Sequence, residues 1–468
     1  MAVLMATLLT WGACYGKIIG IMSNSIASNP VIKESVRAIL SEFYDNGIPD
    51  DVELRDSEFA EIRGHATVIL GMRRTGKTYF AYARMRELLA QGIPLERIVY
   101  VNFDDARLAG MTVHDLRYVQ DVHAELCPAA AAETCWYFLD ELQDIKDWEL
   151  FARRLIDSNR VRLCLTGSSA KLLAKEVATS MRGRSLQLEI FPLSFREWLV
   201  FSGTLRKIPR YVDTTANRGL LRTAFSEYMR VGGFPGVQRL DDKLRIRVLQ
   251  EYVQSVVYRD IIERHEIANV QSLLYVKQYL LHNFARGISL RAISGVLKQL
   301  GLPSSREALA DYVSYFQDAY FAFGVSRRTD SLAVKRANPD KCYLIDNGLI
   351  AALKPKNDAE RGWLLENAVF LGLRRGFNKI EYYITKSGRE IDFIVRDEVT
   401  KNERLVQVCY DLSLPETEKR ELAALREAKA ETGIADCTIV TDDEERETED
   451  GIRLLPAWKW MLNEGAGR

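Results

Sequence analysis

Residues 71–78 read Gly-Met-Arg-Arg-Thr-Gly-Lys-Thr, a G-x-x-x-x-G-K-T run between the apolar stretch HATVILG and a helical pattern over 77–90. Few local structures satisfy that spacing. The glycines let the backbone curl until its N–H groups converge on an anion, and the following helix turns its positive N-terminus to the same point. Such a loop binds nucleotide phosphates. Gly71, Met72, Arg73, Arg74, Thr75 and Gly76 form the cradle, Lys77 reaches the β- and γ-phosphates, and the Thr78 hydroxyl is an Mg²⁺ ligand. ATP and Mg²⁺ are therefore the expected ligands.

A second apolar run, Tyr137-Phe138-Leu139, ends in Asp140-Glu141. Parallel strands present ligand-binding groups at their C-terminal ends. Asp140 is expected in the Mg²⁺ shell and Glu141 as the carboxylate that polarises the attacking water. The next strand pattern, RLCLTGSS at 162–169, places Ser168 either to sense the γ-phosphate or to cap a helix. Arg184 follows Arg182 in Met-Arg-Gly-Arg-Ser. It reads as an arginine finger, in its own or a neighbouring subunit, or as a surface salt bridge.

Apolar runs here and at 97–103 alternate with helical patterns. This predicts an α/β unit with a parallel sheet covered on both faces, ending near residue 205. Ile32, Val36, Ile39, Leu40 and Phe43 recur at helical spacing and predict a helix over 30–63. Residues 217–330 are helical in pattern, and mixed α/β patterning returns near 342. The expected units are an N-terminal extension at 1–29, the nucleotide unit at 30–205, a helical lid at 206–271, a further module at 272–345 and a last α/β unit at 346–468. The acidic run 442–450 reads as a solvated turn.

The 468 residues hold 64 Lys+Arg and 64 Asp+Glu, and 47% are hydrophobic. Wholesale disorder, a fibrous repeat and a histone-like polyanion binder are thereby excluded, although a local basic patch is not. Seven scattered cysteines without a C-x-x-C, and five histidines without an H-x-x-x-H, exclude a disulfide scaffold and a zinc site. A reducing cytoplasm is the expected location. The mildly apolar first 22 residues are interrupted by Lys17. They read as a frayed tail, or as an upstream start with Met22 the true one, rather than a signal peptide. No membrane contact is expected.

Taken in order, GMRRTGKT, YVNFDD (100–105), YFLDELQ, LTGSSAKLL, Gly183-Arg184, FPLSFREWL (191–199), Gly232-Gly233-Phe234-Pro235 and Tyr343-Leu344-Ile345-Asp346-Asn347-Gly348-Leu349 resemble a prokaryotic, archaeal-type AAA+ ATPase with a C-terminal domain of unknown function. The resemblance covers about residues 30–445. It implies a P-loop NTPase sheet with a helical lid, and ATP hydrolysis.

Helical patterns from Ser289 and from Arg306, a LGLPSS break between them and two short strands around Arg327-Arg328-Thr329-Asp330 resemble a winged helix. Across 272–338, nine Lys and Arg (277, 286, 291, 298, 306, 327, 328, 335, 336) face four acids (307, 311, 318, 330). Duplex DNA held by its phosphates is the expected partner, with a packing or protein-binding module as the alternative.

The last unit resembles a PD-(D/E)xK nuclease, which implies a second metal cluster of Glu366, Asp392 and Gln407. Gln407 is a weaker ligand than a carboxylate for a hard cation. Cys409 stands where an active member carries its lysine, and Lys386 is the candidate substitute. A degenerate domain is therefore expected. The chain reads as an ATPase that acts on or signals from DNA. The alternatives are a nucleotide-gated switch for a protein partner and an ATP-dependent nuclease. A finger acting in trans would imply a homo-oligomer.

Overall fold

Five short strands rich in β-branched and aromatic residues build the first sheet: β1 (Ala66–Leu70), β2 (Ile98–Asn102), β3 (Cys135–Asp140), β4 (Val161–Gly167) and β5 (Ser185–Glu189). The order is β2-β3-β4-β1-β5, and every pairing is parallel. The strand ends that carry the loop 71–78, Asp140 and Gly167 thus lie side by side. β1 is buried along its whole length, as a strand covered on both faces must be. This computed structural model describes residues 29–168, 183–355 and 357–463, without the side chains of Leu332, Arg336 and Ala337. The expected N-terminal extension up to residue 28, and Arg182, lie outside the described residues.

The helix expected over 30–63 is shorter, spanning Pro30–Asn46. Asn29 caps its start, accepting a hydrogen bond from the Ile32 N–H. Gly47, at φ 69°, ends it, and Pro49 lies two residues further on. Its apolar stripe, Ile32, Val36, Ile39, Leu40 and Phe43, is buried.

After β5, a capped helix (Phe195–Phe201) leads to helices at Thr215–Val231 and Asp242–Ser255. The last runs straight into a π-helical turn at Val256–Glu263. Next come a helix at Val270–His282, β6 (Arg286–Gly287), helices at Leu290–Gln299 and Arg306–Asp318, β7 (Ala322–Arg327), a short helix at Leu332–Ala337 where the second expected strand would begin, and β8 (Lys341–Leu344). β6 and β7 both pair antiparallel with β8.

Helix Arg361–Gly376, β9 (Ile380–Ile384), β10 (Glu390–Arg396), β11 (Glu403–Val408), helix Pro415–Thr432, β12 (Asp436–Thr441), β13 (Arg446–Glu447) and β14 (Ile452–Pro456) complete the chain before a last helix, Ala457–Asn463. β7 pairs with β9 through Ser326↔Glu381 and Arg327↔Tyr382. The second sheet is therefore continuous over nine strands, in the order β13-β14-β12-β11-β10-β9-β7-β8-β6. It crosses the boundary expected at 345/346.

Two motifs join the units. Gly232 and Gly233 lie against Asp346, which accepts the Gly233 N–H at 2.6 Å and caps the helix after it through the Leu349 N–H. A Cβ on Gly232, itself at φ 74°, would collide with the Asp346 carboxylate. The acidic run at 442–450 is partly an inter-unit clamp rather than a solvated turn. Asp442 and Asp443 pair with Arg222, and Glu445 pairs with Arg218 and Lys459. Among the described residues no helix is long and apolar enough to cross a membrane.

Candidate nucleotide-binding site

The loop 71–78 leaves β1 with Gly71 at φ 152°, where a Cβ would collide with the Ile190 carbonyl oxygen. Only glycine fits a strand end so close to its neighbour. Arg74 holds a left-handed backbone (φ 71°), and the helix Lys77–Ala90 begins directly at the loop's end. From outside, Arg55 braces the loop. Its guanidinium donates to the carbonyls of Thr75 (3.1 Å) and Phe191 (2.9 Å) and forms a two-point pair with Glu197. Glu197 also closes a capping box with Ser194. FPLSFREWL is thus a strut beneath the nucleotide loop.

At the end of β3 the Asp140 carboxylate is 1% exposed and fully engaged. Thr78 donates to it at 2.7 Å, Tyr100 at 3.1 Å, and Thr166 through a short hydrogen bond. Burial pushes this carboxyl up, and the Thr166 hydrogen bond pulls it back. Thr78 and Asp140, two oxygen donors already in contact, fit a hard cation such as Mg²⁺. Glu141 sits at φ 56°, a costly conformation for a non-glycine residue of the kind that collects at functional sites. Its N–H donates to Thr166, and its carboxylate lies 3.5 Å from the Lys77 ammonium. Burial would raise the Glu141 carboxyl, but Lys77 and Arg73 hold it below the usual range.

Ser168 is buried beside these groups, but its hydroxyl donates to Asp260 of the π-helical turn at 3.4 Å. Asp260 also accepts from Arg73. Sequence reasoning missed Thr166, Asp260 and the role of Arg73. Thr166 sits two positions before Ser168 on the same strand face, so period-2 alternation was the available signal. Arg184 lies elsewhere. Its carbonyl pairs with Ala66, at the start of β1, and its guanidinium bonds Asp157 at 2.6 Å. The length of β1, about 16 Å at strand rise, separates it from the loop. Within its own chain Arg184 is a salt-bridge residue, not a finger.

In the last unit two of the three expected ligands, Glu366 and Asp392, come together around an ammonium group, with Gln407 beside Asp392. Lys341 of β8 donates to Glu366 and Asp392, each at 3.0 Å, and to Glu390 at 2.8 Å. Tyr343 donates to Glu366 at 2.7 Å. Gln407 uses its carbonyl for the Asp392 N–H and its amide for Glu421. The donors are spent, and these residues do not fit a resident metal ion. No group of three or more His, Cys, Asp or Glu among the described residues is placed to hold one. Lys386 sits on the β9–β10 turn, its N–H bonded to Glu431. Burial pushes the Cys409 thiol up to about 11, so it stays neutral.

Comparison with known proteins agrees with the first site. The profile of an AAA domain matches residues 63–199, and that of a domain of unknown function (DUF8612) matches 222–360, in the middle of the chain rather than at its C-terminus. The uncharacterized protein MJ1544 of Methanocaldococcus jannaschii is 35% identical over 87% of this chain and 90% of its own length. An uncharacterized protein of Haemophilus influenzae is 28% identical over 89% and 98% respectively. AMPPCP-bound DnaA from Aquifex aeolicus is similar at 14% identity over 60% of this chain and 86% of its own, with a TM-score of 0.23, too low to carry an argument. The chain carries an AAA-type nucleotide-binding domain and belongs to the family of MJ1544.

Proposed function

We propose that the chain binds ATP with Mg²⁺ at the loop 71–78, hydrolyses it, and uses the cycle to act on duplex DNA. The observation that carries the first part is the pairing of Thr78 with Asp140 beside that of Lys77 with Glu141. Thr78 and Asp140 would hold Mg²⁺, which when bound offsets the charge of the β- and γ-phosphates. The loop amides and Lys77 orient the phosphates. Glu141, kept ionised by Lys77 and Arg73, accepts a hydrogen bond from the attacking water and aligns it.

The order helix, β6, helix, helix, β7, β8, with the short helix Leu332–Ala337 inside the β7–β8 connection, supports a winged-helix reading of 270–344. Between its second and third helices and the β7–β8 connection runs a groove of about 960 Å³. Arg291, Lys298 and Arg306 line it, and none has an ion-pair partner among the described residues. Arg328 and Lys335, by contrast, are paired with Glu403 and Glu381. Three free cations in a groove favour a phosphate backbone over simple packing. The order helix, three antiparallel strands, helix, strand supports the nuclease-like reading of the last unit. With Lys341 among its carboxylates, we read that unit as degenerate.

The test is steady-state ATP hydrolysis by the full chain and by Lys77→Ala, each with and without duplex DNA, and DNA affinity across a salt series. Hydrolysis should vanish in the variant and rise with DNA. Arg291→Ala should weaken DNA binding and flatten the salt slope by about one unit. Wild-type hydrolysis that persists in Lys77→Ala would sink the site assignment. ATP binding with no DNA response would favour the switch.

A further inference from the structure

Arg73 is the third residue of the phosphate loop, yet its side chain does not point into solvent. Its Nε donates to both Asp260 oxygens, at 2.9 and 3.0 Å, and its Nη1 to Asp104 at 3.3 Å. Asp260 is 6% exposed, and Ser168 donates to the same carboxylate. It stands on the π-helical turn Val256–Glu263, a rare geometry that recurs at functional sites. Arg73 is also near enough to Glu141 to help hold that carboxyl ionised.

Five side chains are therefore linked by contacts beside the phosphate loop: Arg73, Lys77, Glu141, Ser168 and Asp260. Each has a chemical reason to stand beside a phosphate loop except Asp260, an acid whose carboxylate, among the described residues, accepts only from Arg73 and Ser168. Its reason is Arg73. A guanidinium fork suits a phosphate oxygen pair better than an ammonium does. A buried guanidinium needs a counter-charge when no phosphate is bound. The expected finger, Arg184, is at the far end of the sheet.

We propose that Arg73 is the γ-phosphate cation of this ATPase, acting within its own chain, and that Asp260 is the positioning residue that holds it there between turnovers. The inference rests on the nucleotide-site reading above. ATP draws the guanidinium from Asp260 onto the γ-phosphate, while ADP leaves the pair intact. The π-helical turn, and the helix Val270–His282 that follows it, thereby sense which nucleotide is bound. Ser168 reports on the γ-phosphate through Asp260 rather than by contact.

The experiment measures binding of ADP and of the non-hydrolysable ATP analogue AMPPNP, with kcat and KM for ATP, on the full chain. Arg73→Gln should cut kcat about 100-fold or more and weaken AMPPNP, with ADP affinity within about twofold of wild type. Asp260→Asn should tighten AMPPNP relative to ADP, since the competing charge is gone, while kcat falls. Should Arg73→Gln melt early, Arg73→Lys keeps the charge without the fork. It should melt as wild type and lose about tenfold in kcat. A full rate in Arg73→Lys, or an Asp260→Asn variant that shifts both nucleotides equally, overturns the proposal. Wild type that binds neither nucleotide overturns the site reading beneath it.

Discussion

Glu197 shows how a single residue supports chemistry it never touches. It is buried, bonded twice to Arg55, and accepts the N–H groups of Asp56 and Ser194. Burial would raise its carboxyl, but Arg55, the Arg375 charge and the Ser194 N–H bring it down to about 2. A depressed carboxyl contributes stability that is present above its unfolded value of about 4.5 and lost as pH falls through the folded one. Glu197→Gln leaves Arg55 buried without a counter-charge and should cost about 3–5 kcal/mol near neutral pH. In urea melts the gap to wild type should shrink between pH 4.5 and about 2. A gap constant with pH would mean that packing, not charge, is the cause. The sequence placed Glu197 in a recognisable run but not its partner, because Arg55 lies 142 positions earlier in a stretch that reads as helix. Arg73 and Asp260 stand 187 positions apart and were illegible for the same reason. The loop itself was legible residue by residue, because its chemistry is local.

Among the elements, β8 works beyond its own unit. Lys341 opens it, and Cys342, Tyr343 and Leu344 are all buried. Burial and the Asp392 charge raise the Glu366 carboxyl, while the carboxylates around Lys341 hold its ammonium in the charged form. Removing the ammonium leaves Glu366 and Asp392 facing each other. Lys341→Met should therefore destabilise by about 3–5 kcal/mol near pH 8. A raised carboxyl favours the folded state at low pH and loses that advantage as pH rises through it, so the deficit should narrow toward about pH 5. Equal deficits at both pH values would dismiss the charge argument. Wild type should not nick plasmid DNA with Mg²⁺ or Mn²⁺; nicking lost in Asp392→Ala would restore the nuclease reading. Apolar runs marked β1 to β4 well; they did not mark β5, which is only half-buried, or the two-residue β6. The pairing of β7 with β9 was not marked either, because a parallel pairing across the intervening β8 and the helix Arg361–Gly376 leaves no periodic trace.

For the whole molecule, the units share the largest of three buried clusters. That cluster runs from Ile32 to Leu462, and Arg374 and Arg375 bind Glu189 and the Pro192 carbonyl across units. Thermal unfolding of the full chain should be one cooperative transition. A fragment ending at residue 345 loses the β9 partner of β7 and the carboxylates around Lys341, so it should show diminished near-UV circular dichroism and aggregate. A well-folded fragment with native ATP affinity would show that the sheet's halves are independent. The alternation of apolar runs with helical patterns marked the α/β class but held no hint of this sharing, since the same residue patterns serve one sheet or two. Lys341 belongs by chain order to one unit and by charge to the next. A graft that moved either unit alone would carry away half of a buried ion cluster. The two halves of the sheet can be inherited, exchanged or lost only as a pair.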